Sequence, residues 1–331
     1  MFLLFIFLGM IIAVSSPHWF GVWIGLEINI YSFLPFISGI GSTPTSSLRQ
    51  EAATKYFFSQ AVGSIILLTS ALAIYTDIHS IILAFFLIAI LLKAGAAPFH
   101  FWYPRVIAIL PWPTCWLLST IQKLLPLFLL IKFYPFRPWV ILIAGTIIVI
   151  VGGIGGLNQT QLRAIIAYSA IGQIGWLTAS IQLSTEIAIV MFINYLVTIR
   201  GIILLFTVIE SKTGDEPSLY RNRHPIIIVI IVILLISLAG IPVFVGFYPK
   251  LFLIKTLVCS GFYKTVTFLI IGSLLNLYYY LKIIQIIIFT SRRKITPEEF
   301  SISIASFYII WSILIISSHL IVFYMIPWIL P

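Results

Sequence analysis

Apolar residues run through this chain in long blocks, broken at intervals by short polar or proline- and glycine-rich stretches. Most blocks approach the ~20 residues that a helix needs to cross hydrocarbon. The pattern predicts an all-α polytopic membrane protein of about eleven transmembrane helices. The blocks run from Met1 to Val14, Phe20 to Ile37, Ala53 to Ile74 and Ser80 to Ala97. A fifth follows Pro111 and Pro113 and holds Gln122 and Lys123 ahead of Pro126, and a sixth ends at Leu157. Arg163 to Ser180, Glu186 to Val208, Ile226 to Phe247 and Phe262 to Phe289 follow, and the last block reaches Trp328. The opening MFLLFIFLGMIIAV lacks a basic start and a small-residue cleavage site, so it reads as a retained first helix.

Two blocks are interrupted. Gly95 and Pro98 follow Lys93 in LLKAGAAPFHFWYP, and Gly240, Pro242 and Gly246 precede Lys250 in LAGIPVFVGFYPK. Paired broken segments of this kind mark internally duplicated transporters. Lys93 precedes its break while Lys250 follows its own, so the pattern alone does not establish duplication. The expectation is one membrane domain over 1–331, with two discontinuous helices and candidate inverted repeats at roughly 20–157 and 162–290.

Composition removes the soluble alternative. Of 331 residues, 61% are apolar and 8% charged, against about 25% charged in soluble domains. The net charge of +10 does not point to nucleic acid, because the basic residues sit mostly in short loops between blocks. Arg49, Lys55, Arg105, Arg163, Lys212, Arg221, Arg223, Arg292, Arg293 and Lys294 fall on one set of loops; Lys132, Arg137, Lys255 and Lys264 fall on the other. The positive-inside bias then puts the N-terminus on the matrix or cytoplasmic side and the C-terminus opposite. Trp19, Trp102, Trp112, Trp139 and Trp328 lie near span ends, where interfacial aromatics are expected.

Against this background a few polar residues stand out. Glu27 is the one acid placed well inside a span. Either a neighbouring hydroxyl or amide pins it and locks two helices together, or its charge tunes a nearby lysine. Lys93, Lys123 and Lys250 lie in apolar surroundings, where a cation is costly and marks an ion path or a protein-lined interior. Lys93 has some freedom to snorkel; Lys123, in LLSTIQKLLPLFLL, has none. Desolvation draws both residue types toward neutrality, so the set suits proton transfer without covalent catalysis. Ser119, Thr120, Gln122, Tyr168, Ser169, Gln173 and Asn194 are candidate relays or helix–helix hydrogen bonds. His100 is divided between interfacial aromatic and relay, His319 is a weaker relay candidate, and Arg200 suits pairing with an acid or a lipid headgroup.

Cys115 and Cys259 have no metal-ligand spacing. CxxC, GxGxxG and HExxH motifs are absent, so no directly bound cofactor or metal is expected. The glycines of GTIIVIVGGIGGLNQTQLR suit close helix packing and lack P-loop spacing.

WIGLEIN, LLKAGAAPFHFWYP, IQKLLPL, GGLNQTQLRAIIAYSAIGQIGW and LAGIPVFVGFYPK, in this order, resemble the antiporter-like membrane subunits of respiratory complex I, the proton-pumping NADH:ubiquinone oxidoreductase, in a shortened animal form. The resemblance covers essentially the whole chain. It implies a hydrophilic axis in which Glu27 and Lys93 are a paired acid and lysine. Lys123 is then the connecting lysine, and Lys250 belongs to the second broken helix. It also implies coupling to quinone reduction elsewhere, with NADH, FMN, iron–sulfur clusters and ubiquinone in or near other subunits. The implied partners are other membrane-arm subunits, accessory subunits and lipids such as cardiolipin, with no nucleic acid; the implied location is the mitochondrial inner membrane. Gln173, Ala164 and Val243 depart from the family pattern, where a histidine, a second basic residue and a proline are common. A free-standing Na+/H+ or K+/H+ antiporter and a purely structural subunit remain alternatives on the residues alone.

Overall fold

The computed structural model describes residues 1–39, 47–73, 79–132, 138–213, 225–242 and 244–291. The described residues are all-helical, in two compact units, Met1–Gln182 and Leu183–Pro331. The first unit contains α1 (Phe2–Ser15), α2 (Trp19–Ser38), α3 (Ser47–Ala73), α4 (His79–Ala94), α5 (Trp102–Ile109), α6 (Trp112–Ser119), α7 (Ile121–Lys132), α8 (Pro138–Leu157) and α9 (Leu162–Leu183). The second contains α10 (Thr185–Thr213), α11 (Pro225–Ala239), α12 (Phe247–Cys259) and α13 (Tyr263–Ser291).

Among the described residues, 7 helices are long and apolar enough to cross a membrane, which corrects the expected count of about eleven. The apolar helices Phe2–Ser15, Ile82–Ala94 and Ile228–Ala239 fall short. The longest of them, Phe2–Ser15 with 14 residues, spans ~21 Å at ~1.5 Å per residue, below the ~30 Å hydrocarbon thickness. The block ending at Trp328 lies outside the described residues. The fourth and ninth blocks are cut where Gly95 and Gly240 adopt φ of 67° and 80°. These left-handed conformations end a helix and are readily reached only by glycine. At each, the same motif closes the helix: Ala96 N–H reaches Leu91 O at 2.9 Å, and Ile241 N–H reaches Ile236 O at 3.5 Å.

The discontinuous helix is Trp112–Lys132, which counts as one span yet breaks at Thr120. The sequence had placed its breaks after Lys93 and before Lys250. At Thr120 the backbone leaves helical geometry (φ −121°, ψ −73°). The hydroxyls of Ser119 and Thr120 bond back to Trp116 O at 3.1 and 2.6 Å beside the local helix end. Pro126 sits inside α7 rather than at the break.

Glycine sets the closest helix contacts. A Cβ on Gly25 of α2 would lie 2.6 Å from Gly9 O and 2.6 Å from Ala13 N of α1. A Cβ on Gly175 of α9 would lie 2.5 Å from Val149 Cγ2 and 2.7 Å from Gly145 O of α8. α9 is buried along almost its whole length. The end of α1 is closed from α7, where Lys132 Nζ donates to Ser16 O at 2.9 Å. Trp112 is buried at 2% exposure under the Arg163 guanidinium, 4.8 Å from the ring centroid, so it is a packing residue and not an interfacial one. Gly175→Val should destabilise the protein by about 1–3 kcal/mol through overpacking. The check is a lower Tm in detergent than that of the natural protein.

Candidate functional site

The site in the first unit is built around one turn of α3. Gln60, Gly63 and Ser64 lie at i, i+3 and i+4, so they share a face. Ser64 Oγ donates to Glu27 Oε1 of α2. One residue earlier, a Cβ on Gly63 would come within 2.9 Å of Lys93 Cγ, so the lysine stem lies directly on the α3 backbone. Gln60 and Lys93 then exchange hydrogen bonds. Lys93 Nζ donates to Gln60 O at 3.3 Å, and Gln60 Nε2 donates to Lys93 O at 3.2 Å. Lys93 is 5% exposed. Among the described residues, Glu27 makes no direct ion pair with it. Glu27 itself is half-buried rather than sealed.

Lys123 occupies the first turn of α7, immediately after the break at Thr120. It is 3% exposed. Its Nζ donates to Ala170 O of α9 at 3.3 Å and lies 4.4 Å from the centre of the Tyr103 ring. Beside it, Tyr56 OH meets Gln122 Oε1 at 3.4 Å. In the second unit, Lys250 of α12 reaches back to the end of α11. It donates to Leu238 O at 3.4 Å and Ala239 O at 3.1 Å. These are end-of-helix carbonyls, where the helix dipole favours a cation.

The remaining candidates divide. His100 is 7% exposed, with Phe101 and Tyr168 rings 4.4 and 6.1 Å away. Tyr168 also fills the space left by Gly155, where an added Cβ would meet Cε1 at 2.2 Å. Ser169 turns its hydroxyl to Ile166 O of its own helix at 2.7 Å. Gln173 is half-buried on α9; Asn194 is half-buried on α10, and Arg200 is exposed there. His319 and Val243 lie outside the described residues. Cys115 is buried and Cys259 exposed. Among the described residues no group of three His, Cys, Asp or Glu side chains is placed to hold a metal ion.

Comparison with known proteins bears on this geometry. Residues 16–276 match the family described as NADH:quinone oxidoreductase/Mrp antiporter, TM. NADH-ubiquinone oxidoreductase chain 2 of Oryctolagus cuniculus is 36% identical over 289 residues, 84% of this chain and 82% of the relative. The chain belongs to the NADH:quinone oxidoreductase/Mrp antiporter family. Two solved structures share the fold of this family member. One is the membrane-bound sulfane sulfur reductase, an archaeal respiratory membrane complex, with TM-score 0.85 and 20% identity over 99% of this chain and 73% of that chain. The other is respiratory complex I from Thermus thermophilus with bound aureothin, with TM-score 0.82 and 21% identity over 98% of this chain and 78% of that chain.

Sequence reasoning missed the α3 contribution to the site of this family member. Gln60, Gly63 and Ser64 resemble any small-polar helix contact, and only their i, i+3, i+4 spacing hints at one face. Tyr103 drew no separate attention in the sequence, yet it is 1% exposed and faces Lys123. Ser64→Ala should remove a charge-assisted hydrogen bond. A double-mutant cycle with Glu27→Gln, read from Tm in detergent, should give a coupling of about 1.5–3 kcal/mol. Gly240→Ala forces a side chain into φ 80° and within 2.9 Å of Lys250 Nζ, so Lys250 must shift. That variant should lose about 1–3 kcal/mol of stability, with Gly261→Ala, also at φ 80° but in open space, separating strain from the Lys250 contact.

Proposed function

We propose that this chain is a membrane-arm subunit of a proton-pumping NADH:ubiquinone oxidoreductase, and that Glu27, Lys93, Lys123 and Lys250 carry proton or charge movement through it. The observation that carries the reading is Lys123, 3% exposed beside a helix break and held by a main-chain carbonyl. A cation placed so deep, and supported by backbone rather than a fixed carboxylate, keeps the freedom to give up and regain its proton. Glu27 supports Lys93 at a distance and through α3, which suits a carboxylate whose charge biases the lysine without capturing it.

On this reading the chain is part of an enzyme without holding its redox centre. Quinone reduction with NADH, FMN and iron–sulfur clusters belongs to other subunits. The similarity to NADH-ubiquinone oxidoreductase chain 2 relatives supports this assignment. The location is the mitochondrial inner membrane, with the N-terminus toward the matrix and the C-terminus toward the intermembrane space. Neighbouring membrane-arm subunits, accessory subunits and lipids such as cardiolipin cover the apolar flanks. α11 and α12 serve as the halves of a second discontinuous helix around Gly240–Gly246. The paired glycine-ended helices, one near Lys93 and one facing Lys250, support inverted repeats at roughly 20–157 and 162–290 within a single membrane domain. His100 and Tyr168 are a side branch, and Ser169 has a packing role.

Lys123→Met keeps the length and apolar stem while removing the proton carrier. Quinone-linked proton pumping in membranes carrying it should fall by about tenfold or more while the quantity of assembled complex stays normal. Normal pumping at normal assembly would take Lys123 off the path and leave the structural-subunit reading.

A further inference from the structure

Tyr103 stands between the turn that ends the Lys93 helix and the ammonium of Lys123. A Cβ on Gly95 would lie 3.0 Å from Tyr103 Cβ and 3.1 Å from its Cγ, so the αL turn of α4 forms one wall of the ring's slot. Trp102 meets the ring edge-on, with centroids 5.6 Å apart and planes at 86°. The ring is 1% exposed. One face is left for Lys123 Nζ, 4.4 Å from the centroid.

We propose that Tyr103 is a positioning residue that holds Lys123 by its charge, keeping the protonated side chain in place and releasing the neutral one. The inference rests on the reading of Lys123 as a proton carrier and adds a gate to it. An aromatic face attracts a cation through its quadrupole and has no comparable attraction for an amine. The attraction is stronger where water is excluded. Ala170 O, the other contact at 3.3 Å, accepts a hydrogen bond from the ammonium or the amine. The carbonyl therefore sets where Nζ docks, and the ring makes that docking depend on the proton. When the proton leaves, Lys123 loses the contact that distinguishes its charged state. Its flexible stem is then free to move away from the ring. Proton transfer and side-chain movement become one event, with the ring fixed on the backbone that also ends the Lys93 helix.

The test compares Tyr103→Phe, Tyr103→Leu, Tyr103→Met and Lys123→Met in intact membranes, reading quinone-linked proton pumping with assembled complex quantified. Tyr103→Phe keeps the aromatic face and should pump within about twofold of the natural protein. Tyr103→Leu or Tyr103→Met, at normal assembly, should lose pumping about tenfold. Either should add little when combined with Lys123→Met, because both changes strike one contact. If Lys123→Met is impaired while the Leu and Met variants pump normally, this inference fails and the proton-carrier reading stands. If Lys123→Met also pumps normally, the reading beneath it fails. Equal impairment of Phe and Leu would assign the effect to the hydroxyl and overturn the proposal. Loss of assembly in both the Leu and Met variants would make Tyr103 a packing residue and overturn it equally.

Discussion

An ammonium group inside hydrocarbon has to be met by oxygen, and this chain meets its three deepest lysines with main-chain carbonyls. Lys93 uses Gln60 O, Lys123 uses Ala170 O, and Lys250 uses the last carbonyls of α11. A carboxylate in the same places would form buried ion pairs, which desolvation makes costly and which fix charge firmly. Carbonyl oxygens contact all three ammonium groups without adding a charge of their own. The fold can be understood as a way of delivering backbone oxygen to those points.

Two devices make the delivery. At Lys250, a left-handed glycine stops α11 so that terminal carbonyls, freed of helix partners, turn toward the next helix. At Lys93 and Lys123, an intact neighbouring helix comes close enough that a mid-helix carbonyl serves. At Lys93 that closeness comes from Gly63, which lets the lysine stem lie on α3. Elsewhere, Gly145 and Gly175 let α8 press on α9.

The buried cations were easy to pick out in the sequence. Lysines in apolar blocks are conspicuous because hydrocarbon penalises charge strongly. Gly95 and Gly240 were equally legible as breaks, since each stands beside proline in an otherwise helical pattern. The break at Thr120 was hidden because no glycine or proline occupies it; two hydroxyls turning onto Trp116 O accompany it instead. Glu27 was legible as an acid, yet its partner Ser64 was not, because a serine in a membrane helix usually bonds within its own helix, as Ser169 does. Span counting suffered from the same glycines: a helix stopped early is too short to register as a crossing, however apolar it is.

One turn of α3 touches both members of the acid–lysine pair. Gln60 and Gly63 face Lys93, and Ser64 faces Glu27. Each residue in a helix advances the side-chain direction by about 100°. Inserting or deleting a single residue between positions 60 and 64 would swing one set of contacts away from the other. The length of this turn is thus under tighter constraint than its composition. Among related chains, gaps belong in the loops flanking α3, and an alignment that opens one inside this turn has lost the register.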